Sequence, residues 1–401
     1  MTATDSRNQE KTGVDRQTQA TSGVRRAPTE IPGSTTGVVM LATWNSMRVE
    51  PMEARKPTVY DVAQLAGVSI ATVSFAFTKP DRVKPQTMEQ VLAAADELGY
   101  VPSASARGLA RGQTGAIGLY AFDYLLDADD LDVVPGSESD GRLFPLYADE
   151  VQRGVQLECR RRGFALMLGG NRTAAHLPNV IDVAGRVDGL IAFAGAMPER
   201  TLKQVAARIP FIELGGAVRH EGVHTILVDN RNGMVRLTEH LLDVHRYRRI
   251  AYLGELGTPE FRQRYDGFSA AMTGAGLPVP EVLPGHAGDD ASTIATVRRL
   301  LERSELPDVL VCDTDQTALA AIDALRAAGR SVPGDIAVTG FDGILAGRVA
   351  TPVLTTVRQP MEQIGRSAVR ILADTLAGDS DADQHEFLES TFVLGASCGC
   401  H

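Results

Sequence analysis

The chain has 401 residues, an apolar content of 44% and a formal net charge of −10. That length exceeds one small core and calls for two or three domains, and the apolar content calls for a globular body. No apolar run approaches the ~18–20 residues of a membrane helix, residues 38–42 are too short for a signal-peptide core, and four cysteines make no disulfide framework. A cytoplasmic protein with no membrane partner is therefore expected.

Residues 1–55 are rich in Thr, Ser, Gln, Arg and Gly without a sustained hydrophobic period, and are predicted to be disordered. Residues 58–74 read TVYDVAQLAGVSIATVS, two short helices with a tight turn. Thr58 is placed to cap the first helix with Asp61 three residues on. Val62, Ala63 and Leu65 are its expected buried side. Gly67 stands where the chain must reverse, in a conformation that other residues resist. Ser69 caps the second helix, and Val68 and Val73 pack it on the first. This is the grammar of a helix-turn-helix, whose second helix enters the DNA major groove. On these features alone an ordinary helical hairpin stays open. A polar connection over 78–87 and a third amphipathic helix over 88–98 follow.

From 115 onward short apolar runs alternate with helical stretches. Strands are predicted within 116–122, 164–170, 189–195, 208–216, 250–256, 308–314 and 335–342, and helices over 146–162, 199–208, 231–245, 261–275, 291–303 and 315–329. Such alternation reads as α/β with parallel sheets, and so many strands imply two Rossmann-like subdomains. Ligands gather at the carboxyl ends of parallel strands, which singles out the residues just after each apolar run. Charge is uneven: residues 56–114 hold six Lys or Arg against five Asp or Glu, and 115–401 hold 27 against 39. DNA binding then rests on placed cations, for which Lys56, Lys79, Arg82, Lys84, Arg107 and Arg111 are candidates.

The stretch 58–74, the third helix and GYVPSASARGLARG (99–112), in that order, resemble the DNA-binding head and hinge of lactose-repressor-type (LacI family) regulators, and the resemblance runs from about 57 to about 396. It implies an all-α head over 56–101, a hinge helix over 102–114, and a periplasmic-binding-protein-like body over 115–401 with a ligand cleft between its subdomains. Met47 or Met52 is then a candidate start, since family members begin shortly before the head; the alternative is a polar arm adding weak DNA affinity. The family's base-reading positions fall on Ile70, Ala71 and Phe75. All three are apolar, so thymine-methyl contacts and DNA shape should outweigh hydrogen-bonded readout. Thr58, Tyr60, Ser69, Thr72 and Ser74 are placed by the resemblance for phosphates and nearby edges. In the hinge, Ala106 and Arg107 match the family, and Leu109 occupies the place of its minor-groove wedge. Ser103 departs from the usual Asn.

For the cleft, Arg264 in FRQRYDGFSAAM and Asp342 at the end of DIAVTGFD match the family's ligand-binding Arg and Asp. As donor fork and acceptor they suit a polyhydroxylated, sugar-like effector. Thr314 stands at an Asn position of the family, and Asp315 is read as a helix cap. Asp290 replaces an aromatic that stacks on sugar in some members, and Phe122 and Tyr124 are candidates for a substitute platform. An acidic insertion at 125–143 is read as a surface loop. The implied partners are double-stranded operator DNA, a small effector and a second copy of the chain. With no heptad tail, the family's route to tetramers is not expected. Repression relieved by effector is the expected direction; corepression is the same linkage with its sign reversed.

A cytoplasmic sugar-binding protein without regulatory role is the rival reading, and it leaves the helix-turn-helix unexplained. An enzyme is not expected, because no G-x-S-x-G elbow, P-loop or H-E-x-x-H motif is present, and no cofactor is expected. Cys398, Cys400 and His401 crowd three potential metal ligands into four residues, with no second cluster to complete a site, so no metal is expected.

Overall fold

The computed structural model describes residues 55–102, 112–121, 146–169, 179–216, 219–286, 289–379 and 383–400. The chain divides into two units, Met1–Thr58 and Val59–His401. Of the first, only residues 55–58 are described. The hinge residues Ser103, Ala106, Arg107, Leu109 and Arg111, the pair Phe122 and Tyr124, the insertion at 125–143 and His401 lie outside the described residues.

The second unit begins with three helices: α1 (Val59–Ala66), α2 (Ile70–Thr78) and α3 (Pro85–Leu98). Ser69 caps α2, its Oγ accepting from the Thr72 N–H at 3.1 Å. Gly67 turns the chain at φ +66°, and the two helices meet at a bend of 105°, within the range of helix-turn-helix pairs. Val62, Ala63, Val73, Ala76, Val91, Ala94 and Ala95 form their core. Leu65 is not in it: this side chain is 46% exposed. The buried stripe of α1 is Val59, Val62, Ala63 and Ala66, and the ~100° advance per residue carries Leu65 to its flank. α3 starts three residues before the predicted 88, because Pro85 supplies a preset first-turn φ. The connection before it contains a 3-10 turn, Pro80–Arg82.

The body has two parallel sheets. The first contains β1 (Ala116–Tyr120), β2 (Ala165–Gly169), β3 (Gly189–Phe193), β4 (Phe211–Leu214), β5 (Val223–Val228) and β11 (His385–Leu388), in the order β11-β5-β4-β3-β1-β2. The second contains β6 (Ile250–Gly254), β7 (Val282–Pro284), β8 (Val309–Cys312) and β9 (Ala337–Thr339), in the order β7-β6-β8-β9. β10 (Thr356–Arg358) pairs antiparallel with β12 (Thr391–Val393). Helices α4 (Leu146–Arg162), α5 (Asn179–Ala184), α6 (Glu199–Ala206) and α12 (Met361–Ala377) accompany the first sheet. Helices α7 (Asn230–Asp243), α8 (Pro259–Gly274), α9 (Asp290–Leu301), α10 (Asp315–Ala327) and α11 (Leu345–Val349) accompany the second. β1, β3 and β4 are buried at every residue, as expected of parallel strands covered on both faces. Two apolar clusters flank each sheet. α4 and α12 cross closely where a Cβ on Gly154 or Gly365 would meet the other helix's backbone, within 2.2 Å.

The chain passes between the two halves three times. β5 gives way to α7, β10 to α12, and β11 to β12. The first and third passages are bonded together, the Asp229 N–H donating to Leu388 O at 3.0 Å and Ser390 Oγ to Asp229 O at 2.8 Å. The second lies against the third through the pairing of Arg358 with Thr391. The expected pair of Rossmann-like subdomains is present. β5, β7, β11, the short β10–β12 pair, α5, α11 and α12 were not among the predicted elements.

Candidate functional site

On the head, Tyr60, Ser69, Ile70, Ala71, Ser74, Phe75 and Arg82 are all exposed, while Thr58 and Thr72 are half-buried. Val73 and Ala76 anchor α2 from beneath, which leaves residues 70, 71, 74 and 75 outward. Phe75 does not pack into the core: it is 38% exposed, with the Arg82 guanidinium 5.4 Å from its ring centroid. Ile70, in the first turn of the same helix, is 43% exposed.

The body holds a cavity of about 310 Å³ between the carboxyl ends of its two sheets. Its walls follow the strand ends: Phe193 ending β3 with Ala194 after it, Leu214 ending β4 with Gly215 after it, Asn230 after β5, Glu255 after β6, His286 after β7, Thr314 after β8 and Asp342 after β9. Tyr147 of α4 and Phe193 meet edge to face, their centroids 6.1 Å apart. Phe261, Glu260 and Arg264 enter from α8, whose N-cap Thr258 also lines the space.

Arg264 is almost fully buried and fixed from every side. Its guanidinium donates to Asn230 Oδ1 at 3.0 Å and to Asp313 O at 2.6 Å, and lies 3.1 Å from Asp342 Oδ1. It also sits 4.0 Å from the centroid of the Phe341 ring. Gln359 Nε2 donates to the same Asp342 oxygen at 2.7 Å. Asp342 is one of two non-glycine residues at positive φ among the described residues, at +121°, a costly conformation typical of functional positions. Burial raises the Asp342 carboxyl to about 6, outweighing the opposing pull of Arg264 and Gln359. Burial likewise raises Asp313 to about 7. The pair predicted from sequence is thus brought together at the cavity wall.

Thr314 lines the cavity, yet it rather than Asp315 caps α10: its Oγ1 accepts from the Thr317 N–H at 3.1 Å. Asp315 is the first helical residue, and its carboxylate accepts from the Thr356 hydroxyl and, at 2.9 Å, from the Ile344 N–H. It ties the helix to the strands beside it. Burial, then the nearby charge of Asp342, push its carboxyl well above the usual range. Asp290 opens α9 and is not among the wall residues.

Among the described residues, three hydrogen bonds span the cleft. Glu260 accepts from the Gly216 N–H, Gln316 Oε1 from the Leu146 N–H at 3.4 Å, and Glu150 Oε1 from the Leu345 N–H at 2.8 Å. Glu213 behind the first of these is raised to about 7 by burial and by Glu260. Sequence reasoning named none of Tyr147, Phe193, Asn230, Glu260 or Gln359. The strand-end rule points to Phe193 and, through the missed β5, to Asn230. Tyr147, Glu260 and Gln359 come from a helix start, a helix first turn and a passage between halves. Elsewhere, the reading that the C-terminal cysteines lack a completing cluster is corrected: the fold brings His240 and His245 to Cys398 and Cys400.

A family model for bacterial regulatory proteins of the lacI family matches residues 58–103, and one for a periplasmic binding protein-like domain matches 238–398. The HTH-type transcriptional regulator CelR of Thermobifida fusca is 32% identical over 353 residues, covering 86% of this chain and 98% of that protein. The HTH-type transcriptional repressor PurR of Haemophilus influenzae (strain PittEE) is 32% identical over 343 residues, covering 83% and 96%. Among solved structures, a CelR–cellobiose complex aligns with a TM-score of 0.59 at 30% identity, over 85% of this chain and 99% of that one. The lac repressor dimer bound to operator and the anti-inducer ONPF aligns at 0.69 and 24% identity, over 86% and 99%, a likeness of fold. With its head, its two-sheet body and relatives matched along nearly their whole length, the chain belongs to the lacI family of bacterial transcriptional regulators.

Proposed function

We propose that this regulator is a homodimer on a pseudo-palindromic operator, with α2 in the major groove of double-stranded DNA and a sugar-like effector in the body's cavity setting its affinity. The domains are read as 56–101, 102–114 and 115–401, with Leu109 of the hinge as minor-groove wedge. The observation that carries the effector assignment is the buried Arg264–Asp342 pair at the wall of a cavity that also has aromatic sides, Tyr147, Phe193 and Phe261. Donor fork, acceptor carboxylate and apolar rings are what a polyhydroxylated ring needs: paired bonds to its hydroxyls and a surface for its C–H faces. The relative solved with cellobiose makes β-linked glucosides the first ligands to test. Dimerisation is supported by β2, the outer strand of the first sheet, where Leu168 is exposed while the adjacent β1 is wholly buried.

Bound effector changes the angle between the halves, and a dimer transmits that change to the hinge pair, so operator affinity and effector affinity are linked reciprocally. The test is footprinting of the purified protein on DNA upstream of its own gene, followed by a thermal-shift and operator-release screen of mono- and disaccharides. A symmetric protected site released by one sugar class is expected. No protected site at low salt defeats the operator reading, and protection insensitive to every ligand that shifts the melting point defeats the effector reading.

A further inference from the structure

The last described residues return to the second half of the body. Ser397 fastens them, its Oγ donating to Val338 O at 2.6 Å and accepting from the Thr355 N–H at 2.9 Å. A 3-10 turn, Ala396–Cys398, is followed by Gly399 at φ +103° and Cys400. That reversal, open to glycine and costly for other residues, aims both thiols at one point. Two imidazoles meet them there, His240 from the last turn of α7 and His245 just beyond it.

The geometry is specific. His240 Nε2 lies 3.2 Å from His245 Nε2, 3.5 Å from Cys400 Sγ and 3.7 Å from Cys398 Sγ. His245 Nε2 lies 3.4 Å from Cys400 Sγ, and all four atoms fall within 4.8 Å of one another. With Zn–N of about 2.05 Å and Zn–S of about 2.3 Å, the edges of a tetrahedral site are about 3.3 Å between nitrogens and about 3.6 Å from nitrogen to sulfur. Four of the six edges match those values to within a few tenths of an ångström, and the other two lie within 4.8 Å. Hydrogen bonding accounts for less. Nε2 of His240 carries one hydrogen or one lone pair, so it satisfies one of its three contacts; a central cation satisfies all.

We propose that His240, His245, Cys398 and Cys400 form a Cys₂His₂ site for one structural zinc ion. The ligands are held in place before the metal arrives. Tyr247 stacks on His245 with centroids 5.2 Å apart and its hydroxyl donates to Cys398 O at 2.9 Å, while Phe392 lies against His240 at 5.1 Å. Four protein ligands close the coordination sphere, so the ion is structural rather than catalytic. It clips the C-terminal turn to α7, the helix whose first residue, Asn230, holds Arg264 at the cavity.

The test uses the full chain without a polyhistidine tag, expressed with zinc in the medium. Elemental analysis should find one zinc per chain, and protein stripped by chelator should melt at a lower temperature and recover on adding zinc alone. Cobalt in its place should give a thiolate charge-transfer band and the strong visible bands of a tetrahedral site. Cys400→Ser and, separately, the less intrusive His245→Ala should bind zinc at least about tenfold more weakly with the circular dichroism spectrum unchanged. Zinc far below one per chain together with no cobalt–thiolate band would overturn the proposal without recourse to a variant. So would zinc retained equally by both folded variants, or a Cys398–Cys400 disulfide in freshly isolated protein.

Discussion

Replacing Arg264 with Ala tests the cavity most directly, and the structure says how large its effect should be. The change removes donors to Asn230, Asp313 O and Asp342 and leaves a buried carboxylate without its cation. Removing one partner of a buried ion pair costs about 3–5 kcal/mol. Proton uptake limits the loss: Asp342 already titrates near 6 with Arg264 present, and without the guanidinium it rises towards neutrality and sheds its charge. The lower end, about 3 kcal/mol, is therefore expected, against a typical total of about 5–15 kcal/mol, so the variant folds at 25 °C. Urea unfolding followed by circular dichroism measures the first effect. Fluorescence anisotropy on a labelled operator measures the second: operator affinity within about twofold of the parent, and no release by effector at concentrations at least about a hundredfold above those that release the parent. Arg264→Lys keeps the charge but not the planar fork, and should recover more stability than effector response. If Arg264→Ala still responds within about tenfold of the parent, the guanidinium is not an effector ligand. If it loses under about 1 kcal/mol, the buried pair does not organise this half of the body.

The remaining predictions are smaller in scale. Asp342, Asp313 and Glu213 all have raised folded-state values, about 6, 7 and 7. Their stabilising protons are held in full below about pH 4 and lost as pH rises through about 6–7, which favours a higher melting temperature near pH 5 than near pH 8, offset in part by His224, whose lowered value acts the opposite way; replacing Asp342 with Asn should flatten the fall, and an unchanged profile contradicts the assignment. Effector affinity should run the other way, rising through about pH 6 as Asp342 becomes an acceptor. Ser69→Ala removes the cap of α2 at a cost of about 1 kcal/mol, which differential scanning should register in the head, with operator binding weakened alike for strong and weak operators. Substituting deoxyuridine for thymine, one position at a time, should cost about 0.8 kcal/mol, roughly fourfold in affinity, wherever Ile70, Ala71 or Phe75 touches the methyl; no sensitive position would refute methyl reading. Glu260→Gln, whose amide group holds the Gly216 N–H less strongly, should alter the effector concentration for half-release without altering operator affinity in its absence.

The sequence made the head and most of the body readable because local rules act there undiluted. Ser69, Gly67 and the burial of Val62 and Val73 each follow from capping, backbone freedom or periodicity, and each stands where expected. Arg264 and Asp342 were named through resemblance, and the fold joins them at 3.1 Å. What escaped depends on chain passages that no local pattern announces. β10 and β12 are three residues each and pair across a whole helix and strand, so Gln359, lying in such a passage, carried no signal. Thr314 took the cap expected of Asp315 because both residue types cap helices, and only the position of the Phe341 carbonyl and Thr356 decides between them. His240 and His245 lie about 155 residues before the cysteines they meet, beyond the reach of any spacing rule.

The three side-by-side passages between the halves have a consequence for how sensitivity is set. A single tether would let two rigid bodies swing, slide and roll. Three parallel tethers along one rim suppress most of those freedoms and leave essentially one coordinate of twist and closure. The energy gap along it in the empty protein rests on the torsions around 228–230, 358–361 and 388–391 together with the hydrogen bonds of Glu260, Gln316 and Glu150 across the cleft. The competent fraction of the empty protein scales the apparent affinity directly. Substitutions at Asp229 or Ser390 therefore retune the dose at which the regulator responds while every wall contact stays as it was.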